Sequence, residues 1–148
     1  MDYFARSGAL LGFVPLLENW GGDALGLLTE VGFGPSLLDN PDQYLPYQAL
    51  ADLYERTAER TGRPDFGLQL GLQQGIEVVG ALAGLLALQD TVGQALWMLQ
   101  RNLGFHARGV QLEWAWQDAQ VEMAVRVQFA PEHAHRQLHF LNIALIRK

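Results

Sequence analysis

Three histidines near the C-terminus, His133, His135 and His139, are the first residues in this chain that could do chemistry. A separation of four places His135 and His139 on one face of a helix, a spacing that zinc sites can use. No glutamate stands between them in an H-E-x-x-H arrangement, and the chain has no cysteine. The plainer reading is a half-exposed helical face, and no metal or other cofactor is expected. Nucleophilic catalysis would fall to Ser7 or Ser36, and neither lies in a G-x-S-x-G turn. There is no G-x-G-x-x-G and no P-loop to cradle a phosphate. The carboxylates of Glu55 and Glu59 are paired by spacing, but they fall on a face that the sequence pattern marks as solvated. No catalytic residue is expected, and the chain does not read as an enzyme.

Binding chemistry is better represented. Trp97, Phe105, Trp114, Trp116 and Phe129 gather in the last third of the chain, with His106, Arg108 and Arg126 close in sequence. An apolar cavity with a few polar anchors is the usual form of a small-molecule site. The candidate ligand-binding set is therefore Trp97, Phe105, His106, Arg108, Trp114, Trp116 and Arg126. The competing reading is that the aromatics fill the core. Arg126 could meet an anionic effector, or pair with Glu113 or Glu122 across a sheet.

These residues need elements to position them. A chain of 148 residues, about half of them hydrophobic, suits one domain with a real core. The net charge is −6, and one lysine, Lys148, stands against nine scattered arginines. Nucleic-acid binding needs clustered cations, so the chain by itself is a poor candidate for it. No run reaches the ~18 apolar residues of a membrane span, and the N-terminus lacks the cleavage pattern of a signal peptide.

Helical punctuation dominates the first two thirds. Asp23 can cap a short helix that Gly32 ends in a left-handed conformation. Pro35 to Leu38 reads as a single turn. Pro46 is placed as a first helical residue, opening a segment to Thr61 with Leu50, Leu53, Tyr54 and Thr57 on its buried face. Gly62 and Pro64 stop it. A second short helix runs from near Asp65 to near Gly75. The apolar stretch that follows suggests a buried helix from about Val79, close-packed through Gly80, Ala83 and Gly84. Thr91 and Gln94 form a capping-box signature for a helix whose Leu96, Leu99 and Leu103 face the core and which Gly104 closes.

After Gly109 the period changes to two. Val110, Leu112, Trp114 and Trp116 alternate with polar or small residues, as do Val121, Met123, Val125, Val127 and Phe129. The two runs predict a hairpin over 109–129 around the sequence Gln117 to Gln120. An isolated hairpin is marginal, so it must pack on helices or further strands. Pro131 is expected to start a last helix, which runs into the terminal apolar segment. The fold class is α+β: several short helices on a small antiparallel β-sheet, closed by a C-terminal helix.

The order of these features resembles the N-terminal effector domain of AraC-family transcription regulators, in the arabinose-binding branch that includes regulators of the ornithine-utilisation type. The resemblance covers residues from about 22 to 148. It is carried by Gly32, Phe33 and Leu37 to Asp39; by Pro46; by Thr61, Gly62, Arg63 and Pro64; by Gly67 to Gly71; and by Thr91, Ala95 and Leu96. Each motif is weak alone, and their order and spacing make the whole specific. The residues before Thr91 depart from the family's serine pair, and nothing here resembles the family's C-terminal helix-turn-helix units. The resemblance implies one regulatory domain over 1–148, cytoplasmic, bacterial and homodimeric, part of a transcription activator. It would bind a small-molecule effector and meet DNA only through a C-terminal domain outside this chain. An amino acid or an organic acid is the effector class expected. The alternatives are an oligomerisation module without a ligand and a small stand-alone enzyme.

Overall fold

The structure, a computed structural model, describes residues 2–129 and 135–147. The N-terminal segment forms a strand, β1 (Phe4–Arg6), a 3-10 turn over Ser7–Leu10, and a short helix, α1 (Phe13–Asn19). Helix α2 (Ala24–Glu30) starts where the Asp23 carboxylate accepts from the Gly26 amide at 2.9 Å. It ends beside Gly32, whose φ of 82° takes the left-handed region. Both ends match the sequence expectation. A 3-10 turn over Pro35–Leu38 then leads to a second strand, β2 (Tyr44–Pro46).

Strands β1 and β2 pair antiparallel, with Ala5 opposite Leu45. The sequence pattern did not suggest either strand, because three residues are too few to show a period. Pro46 accordingly ends a strand and stands at the N-cap of helix α3 (Tyr47–Thr61), one residue before the position expected for it. Helix α3 buries Leu50, Leu53, Tyr54 and Thr57 as predicted, and Gly62 closes it at φ 64°. Helix α4 (Phe66–Gln73) follows. Phe13, Leu17, Tyr54, Phe66 and Leu70, none appreciably exposed, make the centre of the core.

The apolar stretch after Gly75 differs from expectation. It is a 3-10 turn over Ile76–Val79, a break at Gly80, and then helix α5 (Ala81–Ala87). Gly80 adopts φ 61°, and the Arg6 guanidinium occupies the space a side chain there would need. A continuous helix from Val79 is therefore blocked. Nor is α5 the buried, close-packed helix expected: only Leu82 is buried, and a Cβ on Gly84 would meet nothing within 4 Å. Helix α6 (Val92–Asn102) begins with the predicted capping box, Thr91 accepting from the Gln94 amide at 3.1 Å and Gln94 from the Thr91 amide at 3.2 Å. It ends at Asn102, before Gly104, and tightens into a 3-10 turn over Leu103–Phe105.

The hairpin is β3 (Val110–Gln117) and β4 (Gln120–Val127), with Leu112 opposite Val125 and Trp114 opposite Met123. It does not stand alone. Ala5 bridges Ala107, the Arg6 amide donates to the His106 carbonyl at 2.8 Å, and the Arg108 amide donates to the Phe4 carbonyl at 2.7 Å. Strand β1 is thus fastened on one side to β2 and on the other to the approach of β3.

Helix α7 (Arg136–Ile146) closes the fold; Pro131 and His133 lie outside the described residues. It crosses α4 at two glycines. A Cβ on Gly67 would overlap the Gln137 carbonyl, and one on Gly71 would come to 2.7 Å from both the Leu141 carbonyl oxygen and Ala144 Cβ. Gln137 locks the crossing: its Oε1 accepts from the Gly67 amide at 2.8 Å, and its Nε2 donates to the Pro64 carbonyl at 2.8 Å. Its own amide donates to Glu55 Oε1 at 2.6 Å. The Gly67 to Gly71 motif is therefore a packing motif, cleared of side chains for a neighbouring helix.

Candidate functional site

Helices α3, α5, α6 and α7, the 3-10 turn over Ile76–Val79 and the hairpin surround a cavity of about 480 Å³. Helix α6 contributes Val92, Ala95, Leu96 and Leu99 along one stripe, spaced as residues that share a helical face. The 3-10 turn and α5 supply Val78, Val79 and Leu86. The hairpin supplies Val110, Leu112 and Val125 from the face that period-2 alternation turns inward. Helix α7 closes it with Asn142, Leu145 and Ile146, and Tyr47 at the start of α3 and His106 complete the wall. The volume falls within the range of small-molecule pockets.

The described lining holds no Asp, Glu, Lys or Arg. Its polar side chains are Tyr47, His106 and Asn142. Burial holds the Tyr47 phenol above its ordinary range, an effect that the neighbouring Asn142 side chain partly offsets. Burial, with the charge of Arg6 as a smaller cause, lowers the His106 pKa to about 4, so the imidazole is neutral at physiological pH. Among the described residues His106 Nδ1 is buried without a hydrogen-bond partner, and Asn142 Nδ2, beside the Tyr47 phenol, is buried without a well-formed one. Native interiors rarely leave such groups unsatisfied.

Arg6 supports this wall from behind. Its largely buried guanidinium pairs with Asp42 and donates to the Val78 carbonyl at 3.2 Å. It therefore fixes the 3-10 turn that presents Val78 and Val79.

Of the seven residues selected by local chemistry, the cavity wall includes His106. The other six lie elsewhere. Trp97 is half exposed with Arg101 stacked on it at 4.6 Å, and Phe105 and Trp116 are mostly exposed. Arg108 is exposed, 6.0 Å from the Phe4 ring. Trp114 shares the inward face of β3 with Leu112 and is part-buried, with its indole N–H unpaired among the described residues. Arg126 meets Glu113 at 3.0 Å on the outer face, one of the two partners expected from the sequence. Of the histidine pair, His135 is fully buried rather than on a half-exposed face, and its ring lies 4.9 Å from that of His139, which is part-exposed. Among the described residues no group of three potential ligands could hold a metal ion.

Sequence reasoning missed Tyr47 and Asn142. Asn142 had a signal: it is the single amide within the apolar run Leu141 to Ile146, and a polar residue there must find a partner or a role.

The HTH-type transcriptional regulator VirS of Mycobacterium tuberculosis, from the CDC 1551 / Oshkosh and the ATCC 25618 / H37Rv strains, is 26% identical over 107 residues. That alignment covers 72% of this chain and 32% of the relative, so the chain spans about a third of the length of the curated relatives it matches. Residues 21–147 match the family model described as the arabinose-binding domain of AraC transcription regulator, N-term, and the chain belongs to that family.

Proposed function

We propose that this chain is the effector-binding and dimerising domain of a transcription regulator, one folded unit over 1–148, with DNA read by a helix-turn-helix segment of the full-length protein. The observation that carries the reading is the cavity, walled by α6, the hairpin and α7 together. A ligand that contacts α7 through Asn142, Leu145 and Ile146 has a direct means of favouring one placement of that helix. Only such differential contact can shift a conformational equilibrium. The role is regulatory rather than catalytic.

A small metabolite is the proposed effector. An amino acid or an organic acid, the classes expected from the sequence, would have to bury its charge against Tyr47, His106 and Asn142 alone among the described lining residues. Dimerisation is supported by apolar side chains left in solvent: Leu88 is 78% exposed, Val92 77% and Phe105 70%.

A thermal-shift screen of amino acids, organic acids and apolar metabolites tests the reading. A ligand at 100 times its dissociation constant adds about 2.7 kcal/mol, which in a domain of this size raises the midpoint by roughly 5–10 °C. Sedimentation of the chain and of Leu88→Asp tests the dimer. A midpoint that no compound moves, with the dimer intact, would leave an oligomerisation module in place of a sensor.

A further inference from the structure

We propose that the cavity takes a linear or lightly branched aliphatic molecule, of about ten to sixteen non-hydrogen atoms, with one uncharged hydrogen-bonding head group held by His106 and Asn142. The assignment deepens the effector reading and rests on it.

The size follows from the volume. At about 30 Å³ for each water-sized group, 480 Å³ holds on the order of sixteen. The shape and polarity follow from the wall. Apart from the rings of Tyr47 and His106 at the polar end, the wall is branched aliphatics such as Leu86, Leu96, Leu99, Leu112 and Leu145, so along most of its length a sugar or a flat aromatic would gain little from stacking. An alkyl chain gains from every methylene it removes from water.

The head group follows from what is unsatisfied. Among the described residues His106 Nδ1 lacks a partner, and Asn142 Nδ2, which sits beside the Tyr47 phenol, makes no well-formed hydrogen bond. A hydroxyl, carbonyl or amide can complete either, because each presents an acceptor and two of them also a donor. A carboxylate or ammonium would enter a wall with no opposite charge among the described residues, at the desolvation cost that isolated ions carry. The imidazole does not supply that charge, since it is held neutral.

The test measures binding of n-alkan-1-ols from six to fourteen carbons to this chain, by equilibrium dialysis below their aggregation limits. Affinity should rise about fourfold per added carbon and stop rising once the cavity is full. The carboxylate and the ammonium of equal length should bind at least tenfold more weakly. Ala95→Phe, which places a ring in the cavity, should move the stopping point to a shorter chain; circular dichroism checks its fold, and Leu99→Phe replaces it if it is unfolded. Asn142→Leu should cut the preference for an alkanol over the same-length alkane by about fivefold. A flat series, or alkanol binding unchanged by the cavity-filling variant, overturns the proposal. If amino acids or dicarboxylates raise the thermal midpoint and alkanols do not, the ligand class is wrong and the effector reading stands. If no compound in either set binds, both fall.

Discussion

Placing a single methyl group at the α4–α7 crossing tests the packing that closes this fold. In Gly71→Ala the new Cβ lies 2.7 Å from the Leu141 carbonyl oxygen and from Ala144 Cβ. Ordinary contact begins near 3.4 Å, so α7 must retreat by about 0.7 Å. A gap of 0.5–1 Å forfeits a quarter to a half of each dispersion contact it opens, and overpacked cores lose about 1–3 kcal/mol. Replacing a helical glycine by alanine returns up to about 1 kcal/mol. The net expectation is a loss of about 1–2 kcal/mol. Gly67→Ala should cost more, because its methyl would overlap the Gln137 carbonyl and strain the bond from the Gly67 amide to Gln137. Gly84→Ala is the matched control: its methyl meets nothing within 4 Å, so it keeps the propensity gain alone and should stabilise by about 0.5–1 kcal/mol. Urea denaturation at constant m-value reads all three. The opposite signs at Gly71 and Gly84 are the diagnostic. A Gly71→Ala protein as stable as Gly84→Ala would refute the close crossing.

Three further outcomes are expected. Gln137→Leu leaves the Gly67 amide and the Pro64 carbonyl without their partner, so it should cost about 2–4 kcal/mol in the same denaturation assay. Thr91→Ala removes the capping box of α6 and should lower stability by about 1 kcal/mol, seen also as reduced helical ellipticity. His106 titrates near 4 when folded and near its ordinary 6.5 when unfolded, so the unfolded chain binds its proton first. Its contribution is complete above about pH 6.5 and is lost as pH falls towards 4. His106→Asn should show a shallower decline than the wild type across that window, and parallel curves would contradict a buried neutral imidazole.

The helices of the first two thirds were legible because their ends carry distinctive residues. Asp23, Gly32, Gly62 and Thr91 each mark an end of the helix they predict. The hairpin was legible because eight-residue strands show a period. Strands of three residues cannot, and β1 and β2 exist through pairing partners some forty residues apart. The break at Gly80 was hidden for a similar reason: it depends on Arg6, 74 positions earlier. At the site, Leu96, Leu99 and Leu103 were correctly turned inward, but they line a cavity. A side chain facing a void and one facing a packed neighbour have the same periodicity. The tryptophans drew attention by their size, whereas Trp97 is half and Trp116 mostly in solvent, and the wall is built chiefly from leucine and valine.

The family match starts at residue 21, but the folding unit does not. Phe13, Leu16 and Leu17 lie ahead of that boundary with their side chains in the core, and Arg6 ties the first strand to Asp42 and to the turn behind the cavity. Trimming the polypeptide to the recognised boundary would unplug the core and cut the guy-rope on the chamber's back wall at one stroke. A shortened version that failed to respond to effector would then say more about where it had been cut than about what the intact molecule senses.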